Sequence, residues 1–176
     1  VLVIDLDSQG SMTSIFGGQV ADEWATVFPL LACDYAMSLQ AENRARMGRG
    51  EAPLPLDDML AAALKIRCPD LAQSTHWPNI DLIGAQLNLY WAEFQVPVWR
   101  MGLKGWKLWD ALTNRLDADG MLERYDVVVL DTPPALGYLT INALSAADIL
   151  LVPLGASFLE FDSTGRFFDM LHATFN

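Results

Sequence analysis

Three carboxylates stand where an α/β protein commonly does chemistry. Asp5 and Asp7 follow the apolar run Val1-Leu2-Val3-Ile4, and Asp131 closes the run Val127-Val128-Val129-Leu130. Runs this short, apolar on both faces and rich in β-branched residues, read as strands buried between helical layers. In open parallel sheets ligands bind beyond the carboxyl ends of the strands, where loops converge and helix N-termini point inward. A buried strand ending in an unpaired carboxylate is costly unless a cation or a hydrogen-bond network meets it. Two such strands point to a shared metal or phosphate-handling site. The plainer alternative is that each Asp caps the helix or turn that follows, and it is preferred for Asp126 and Asp148, which lie at strand starts.

Other reactive residue types are less well placed. His76 and His172 are isolated, without an acid-base partner at a suggestive spacing, and read as surface or helix-face residues. Ser11 and Ser14 lack a nucleophile elbow, so acyl transfer has no support. Arg44, Arg46 and Arg49 could touch DNA phosphates, but a short charged loop is usually solvated. Cys33 and Cys68 are too few and too far apart for a disulfide framework or a four-ligand zinc site.

The elements that must position the carboxylates follow from pattern. A strand over Val1–Leu6 leads through the turn Ser8-Gln9-Gly10-Ser11 into a short helix, Met12 to Phe16, which Gly17-Gly18 ends with a left-handed cap. From Gln19 to about Pro78 a helical insertion is expected: a helix-like stretch Trp24 to Leu39, a basic loop Arg44 to Gly50 at its tip, then Asp57 to Leu64. Asn79 to Gly84 reads as a second short strand, followed by a helix from about Gln86 to Phe94. Trp106, Trp109, Leu112, Leu116 and Leu122 recur at near-helical spacing, so Leu103 to Arg124 should be one amphipathic helix laid on the sheet. The six tryptophans of the chain read as core packing rather than a ligand cage. Tyr125 to Asp131 is the strongest strand signal and should be central. Thr132-Pro133-Pro134 forbids helix, Leu139 to Ala147 resumes it, and Asp148 to Pro153 reads as another buried strand. A final stretch, Glu160 to Phe175, carries Phe161, Phe167, Phe168, Leu171 and Phe175 on one stripe and should cover the sheet. Strands alternating with helices predict a three-layer α/β fold with a mostly parallel sheet.

Composition bounds the reading. The 176 residues are 52% hydrophobic and 19% charged, too apolar for intrinsic disorder. No run approaches the roughly 18 apolar residues of a membrane helix. Eleven Lys and Arg against 22 Asp and Glu give a net charge of -11, which argues against nucleic-acid binding across the whole surface but leaves room for a local patch. No cleavable signal is read before the first strand, and with only two cysteines a reducing cytoplasm is expected. The chain begins without Met inside an apolar run, so a piece of a longer protein is expected.

The Asp131 strand, four hydrophobic residues and then Asp, has the form of a Walker B strand, which in P-loop NTPases holds Mg²⁺, usually through its water shell. Together with Thr132-Pro133-Pro134-Ala135-Leu136-Gly137-Tyr138-Leu139-Thr140-Ile141-Asn142-Ala143-Leu144 it closely resembles the deviant Walker B and switch II region of the ParA/Soj/MinD superfamily, particularly ParA-type and RepA-type partition ATPases. Val1 through Ser14 resembles a second box of that family, Asp-x-Asp-Pro-Gln-Gly-x-x-Thr, with Ser8 where Pro is usual. The resemblance runs over residues 1–18 and 125–158, more loosely over 79–124, and does not include the insertion at about 19–78.

That resemblance implies a P-loop NTPase-like domain, incomplete at both ends. The implied activity is an ATPase that dimerises around two nucleotides, binds DNA nonspecifically in that state, and is switched off when a ParB-like centromere-binding partner stimulates hydrolysis. ATP and Mg²⁺ are the implied cofactors, and the implied location is cytoplasmic and nucleoid-associated. Asp7 matches the carboxylate that positions or activates the attacking water, while Asp5 and Asp131 match acids that support Mg²⁺ through water. Thr132, Pro133, Pro134 and Gly137 belong to the switch loop, rigidified by its prolines and released at Gly137. Pro153 and the loop after it match the region flanking the adenine pocket. The family's phosphate loop, Lys-Gly-Gly-x-Gly-Lys-Thr, occurs nowhere in the chain, so the fragment alone is expected to be inactive. A MinD-like membrane-cycling ATPase is the alternative within the superfamily, and it needs an amphipathic C-terminal helix that the chain does not reach. A non-catalytic regulator lacking the P-loop is the other alternative; the retained Asp7 speaks against it.

Overall fold

The run Val1-Leu2-Val3-Ile4 becomes a strand closed on both faces. In a computed structural model that describes residues 1–21, 23–153, 155 and 158–175, β1 (Leu2–Asp5) is buried at every position. β2 (Gln73–Ser74) pairs antiparallel with β3 (Asp81–Ile83), which lies parallel to β1. β4 (Val128–Asp131) lies parallel to β1 on its other side, giving the order β2-β3-β1-β4.

The register Val3 to Leu82 and Ile4 to Ile83 sorts side chains by face, because successive residues of a strand point to opposite sides. Leu2, Ile4 and Ile83 join the large core. Val3 and Leu82 are buried on the other side, where Leu82 lies against Gly18 just after α1 (Ser11–Ile15) so closely that a Cβ there would collide with it. Helical segments therefore cover both faces of a mostly parallel sheet, the expected α/β class.

The large core draws on the stretch between α1 and β3 and on the helices after β3. α2 (Phe28–Gly48) starts with Pro29 in its first turn, where the missing N–H costs nothing. It buries Leu30, Leu31, Cys33 and Leu39, and packs against α3 (Asp58–Ala63), which Asp57 caps by accepting from the Leu60 N–H. The basic loop expected at Arg44–Gly50 is instead the last turns of α2: Arg46 pairs with Glu51, and Arg49 with Glu42 and Glu51. Cations at a helix C-terminus meet its partial negative charge, so these arginines extend the helix rather than solvate a loop. α4 (Cys68–Leu71) follows before β2.

Past β3 the predicted Gln86–Phe94 helix begins as a 3-10 turn over Leu87–Trp91 and continues as α5 (Ala92–Gly102), through Pro97. Burial of Val96 and Trp99 on its inner face outweighs the single hydrogen bond Pro97 removes. Trp99 stacks on Tyr35 at 5.3 Å and Trp106 meets the same ring edge-on at 5.0 Å. The single helix predicted for Leu103–Arg124 is broken into a 3-10 turn at Leu108–Asp110, α6 (Ala111–Ala118) and α7 (Met121–Arg124). Gly120 turns the chain between the last two at φ +67°. Trp106, Leu112 and Leu116 are buried as expected, but Trp109 and Leu122 lie on the outside of the break. The core reading of the tryptophans holds for Trp99 and Trp106, while Trp77, Trp91 and Trp109 are exposed.

Two strand expectations change. β4, expected to be central, is an edge of the described sheet: Val128 and Leu130 pack on the core, whereas Val129, on the other face, is 41% exposed. Residues 148–153, expected as a buried strand, pair with no strand among the described residues, and Ile149 and Leu151 are 85% and 86% exposed. A ladder needs a neighbour as well as an apolar pattern. α8 (Tyr138–Ala146) matches its prediction to within a residue. α9 (Phe158–Phe175) forms, yet none of the side chains described at 162–173 is buried, so it does not cover the sheet as expected. The side chains of Phe161 and Phe175 lie outside the described residues.

Candidate functional site

Asp5 and Asp131 are partners in the β1–β4 register, so the two strand-end carboxylates come side by side by construction. Asp5 is fully buried, and its charge is met by hydrogen bonds. Its Oδ1 accepts from the Asp7 N–H at 3.1 Å; its Oδ2 accepts from the Thr13 N–H at 2.7 Å and the Thr13 Oγ1–H at 2.6 Å. Thr13 Oγ1 in turn accepts from the Ala85 N–H at 2.8 Å, tying the loop after β3 to the same knot. Asp5 thus secures the turn and α1, the capping role weighed as the plainer alternative, as well as standing at the strand end.

The turn between them is specified locally. Gly10 donates to the Asp7 carbonyl and sits at φ +64°, with its α-carbon side facing the Ala85 carbonyl; a Cβ there would be both strained and crowded. Asp7 is half-buried, and its Oδ1 accepts from the Gln9 N–H at 3.0 Å. Gly17, at φ +68°, ends α1 as the left-handed cap.

Asp131 is the electrostatically strained member. Burial first, then the charges of Asp5 and Asp7, push its carboxyl above the ordinary value of 3.8. Three acids are therefore held within electrostatic reach of one another at adjacent strand ends, a charge excess that a cation would relieve. Among the described residues, no group of three or more His, Cys, Asp or Glu could hold a metal ion directly. Any cation there would have to be met through its water shell.

The loop Thr132–Gly137 leaves this cluster and enters α8. Its Ala135 carbonyl accepts from Thr140 Oγ1 at 2.7 Å. Gly137 was expected as a point of release, but its backbone is extended, with φ -93° and ψ -174°, a conformation open to any residue. What constrains the position is a side chain 44 positions earlier: a Cβ at Gly137 would lie 2.5–2.6 Å from the Glu93 carboxyl group, the end of a flexible side chain, which would have to shift. Pro153 is exposed and lies in no described strand, and residues 154, 156 and 157 of the loop after it lie outside the described residues.

Other candidates resolve simply. His76 is exposed and its Nδ1 meets the Phe16 carbonyl at 3.0 Å; His172 is exposed. Asp126 and Asp148 are exposed. Cys33 and Cys68 are free and buried, and burial pushes both thiols up, away from reactivity. Two contributors escaped the sequence reading. Thr13 is signalled locally, as a hydroxyl in the first turn of a helix that follows a strand-end Asp. Glu93 has no local signal, because its partners lie on another helix.

The family model described as AAA domain matches residues 1–173. Among its relatives, the "Putative replication protein A" of Sinorhizobium fredii is 32% identical over 97% of this chain and 36% of the relative. The "Chromosome partitioning protein ParA" of Caulobacter vibrioides is 28% identical over 92% of this chain and 47% of its own length. The chain thus spans well under two thirds of these relatives. Of solved structures, cobyrinic acid a,c-diamide synthase from Mycobacterium smegmatis with bound ADP and magnesium matches with a TM-score of 0.67 at 23% identity, over 98% of this chain and 54% of that one, a likeness of fold.

Proposed function

The chain belongs to the ParA/Soj/MinD superfamily of AAA domains, and on that premise we propose that it is part of a Mg²⁺-dependent ATPase that partitions DNA. The observation that carries the reading is the gathering of Asp5, Asp7 and Asp131 at adjacent parallel strand ends, with Asp131 pushed up by burial and by its two neighbours. Phosphoryl transfer depends on positioning and charge neutralisation, and acids around a hydrated metal with one carboxylate aimed at water suit that task.

In this reading Asp131 and Asp5 support Mg²⁺ through its waters, and Asp7 orients the attacking water. Bound Mg²⁺ supplies charge neutralisation at the phosphates. Asp5 has a second duty, since its bonds to Thr13 and Asp7 fix the turn that carries the water-directing carboxylate. Thr132, Pro133, Pro134 and Gly137 form the switch loop, and Pro153 flanks the adenine. The phosphate cradle has no counterpart in the sequence of this chain and belongs to the rest of the protein. Residues 1–176 form part of one ATPase domain, and the insertion expected as helical at about 19–78 is helical only in part, since it ends in β2, a strand of the sheet. The full-length protein alternates between an ATP-bound homodimer that holds DNA nonspecifically and a released state, with a ParB-like centromere-binding protein stimulating hydrolysis near the nucleoid. Among the described residues no helix is long and apolar enough to cross a membrane.

The test is ATP turnover by the full-length protein, with and without DNA. Asp7→Ala should abolish turnover while leaving nucleotide binding within about twofold, the pattern of a group that acts only in the transition state. Normal turnover in Asp7→Ala would remove the role assigned to it.

A further inference from the structure

Glu93 is in the first turn of α5, yet its carboxylate is spent on a different helix. Oε2 accepts from the Tyr138 N–H at 2.6 Å and Oε1 from the Leu139 N–H at 3.0 Å. These are the first two amides of α8, donors that a helix leaves without an internal partner. The fork places a charge-assisted pair of bonds on the partial positive end of α8. No residue next to α8 performs this task, since Gly137, at its N-cap, has no side chain to offer. Gly137 instead makes room for the carboxyl group, which would meet a Cβ there at 2.5–2.6 Å. The outer end of the Thr132–Gly137 loop is thereby fixed to α5, while its inner end is fixed by the β4 ladder at Asp131.

We propose that Glu93 is the positioning residue of this loop: through the fork on Tyr138 and Leu139, helix α5 sets where the chain leaving Asp131 runs past the Asp5, Asp7 and Asp131 cluster. The consequence for turnover rests on the ATPase reading above; the fork itself does not. Loosening it displaces the loop without removing any group that faces nucleotide, so the chemical step suffers more than binding. Because the backbone of Gly137 suits alanine, Gly137→Ala perturbs the same contact from the other side, by pushing the carboxylate away.

The experiment compares wild type, Glu93→Ala, Glu93→Gln and Gly137→Ala in the full-length protein. Two quantities are read: hydrogen exchange of the Tyr138 and Leu139 amides without nucleotide, and kcat and KM for ATP. Glu93→Ala and Gly137→Ala should each speed exchange at those two amides about tenfold or more, with core amides of β1 unchanged. Both should lower kcat about tenfold with KM within about twofold. Glu93→Gln keeps an acceptor for one amide and should fall between alanine and wild type in both readings. Unchanged exchange at Tyr138 and Leu139 overturns the proposal, as does faster exchange with an unaltered kcat. A fall in kcat with equal loss of protection throughout β1 also overturns it, since that is general destabilisation. If the wild-type protein hydrolyses no ATP, the ATPase reading fails and the exchange data alone decide the fork.

Discussion

Replacing Thr13 by Val tests how the strand-end charge is held. The two side chains have nearly the same shape, and the retained methyl keeps its place against Gly18 and Gly84, where any added Cβ would lie 3.1–3.2 Å from Thr13 Cγ2. What changes is polar. Thr13→Val deletes the 2.6 Å bond to the buried Asp5 carboxylate and strips the Ala85 N–H of its 2.8 Å acceptor. A hydrogen bond to a charged group contributes about 1.5–3 kcal/mol, and an unsatisfied buried donor costs about 1–3 kcal/mol. Because both losses share one atom, together they should cost less than simple addition gives, about 2–5 kcal/mol. Urea unfolding of the full-length protein, with the slope held equal between variants, reads this as a lowered midpoint. Thr13→Ser is the control, since it keeps both hydrogen bonds and loses only a methyl, a change of about 1 kcal/mol. Faster exchange of the Ala85 amide in Thr13→Val but not in Thr13→Ser would locate the loss. A Thr13→Val midpoint equal to that of Thr13→Ser would refute the reasoning, because the hydroxyl would then contribute nothing that the methyl does not.

Further outcomes follow from other contacts. Asp131, with its folded pKa raised above 3.8, binds its proton more tightly folded than unfolded, so wild-type stability falls as pH rises through the raised value. Asp131→Asn should therefore raise the melting temperature of the nucleotide-free protein at pH 7 by a degree or more, roughly the effect of a few tenths of a kcal/mol, and the gain should vanish near pH 4. Asp119 lies buried between Arg115, to which it is ion-paired, and the Cys68 N–H, from which it accepts at 2.8 Å. Asp119→Ala should cost about 3–5 kcal/mol in urea unfolding, since it leaves a buried guanidinium without its partner, while a paired Arg115→Met and Asp119→Leu change should cost distinctly less. Trp106→Phe removes the indole N–H that reaches buried Asp34 at 2.7 Å and should lower stability by about 1.5–3 kcal/mol on the same assay.

The carboxylate site was legible because its parts are close along the chain or fixed by strand register. An apolar run ending in Asp places that Asp at a strand end, and two parallel strands bring two such ends together. The loop through Gly10 is equally local. The Leu103–Arg124 break was not legible, because near-helical spacing of apolar residues continues across Gly120 while the backbone turns there. The arginines of α2 misled in the other direction: charge and glycine suggested a loop, but their acidic partners make that stretch a helix end.

By itself the sequence determined the α/β class, the acids at the strand ends, the turn into α1 and the proline-bounded loop after Asp131. Each is a property of a few neighbouring residues, whose φ, ψ preferences and side-chain alternation act before any distant contact forms. Only the tertiary structure decided which strand stands at the edge, which tryptophans are buried, and that Asp5 is hydrogen-bonded by Thr13, whose hydroxyl in turn accepts from Ala85. It alone reveals Glu93 on the amides of Tyr138 and Leu139, with its carboxyl group in the space where a Cβ at 137 would lie. Such contacts join residues tens of positions apart, and packing of α5 against α8 brings them together; no local preference of either segment encodes the meeting.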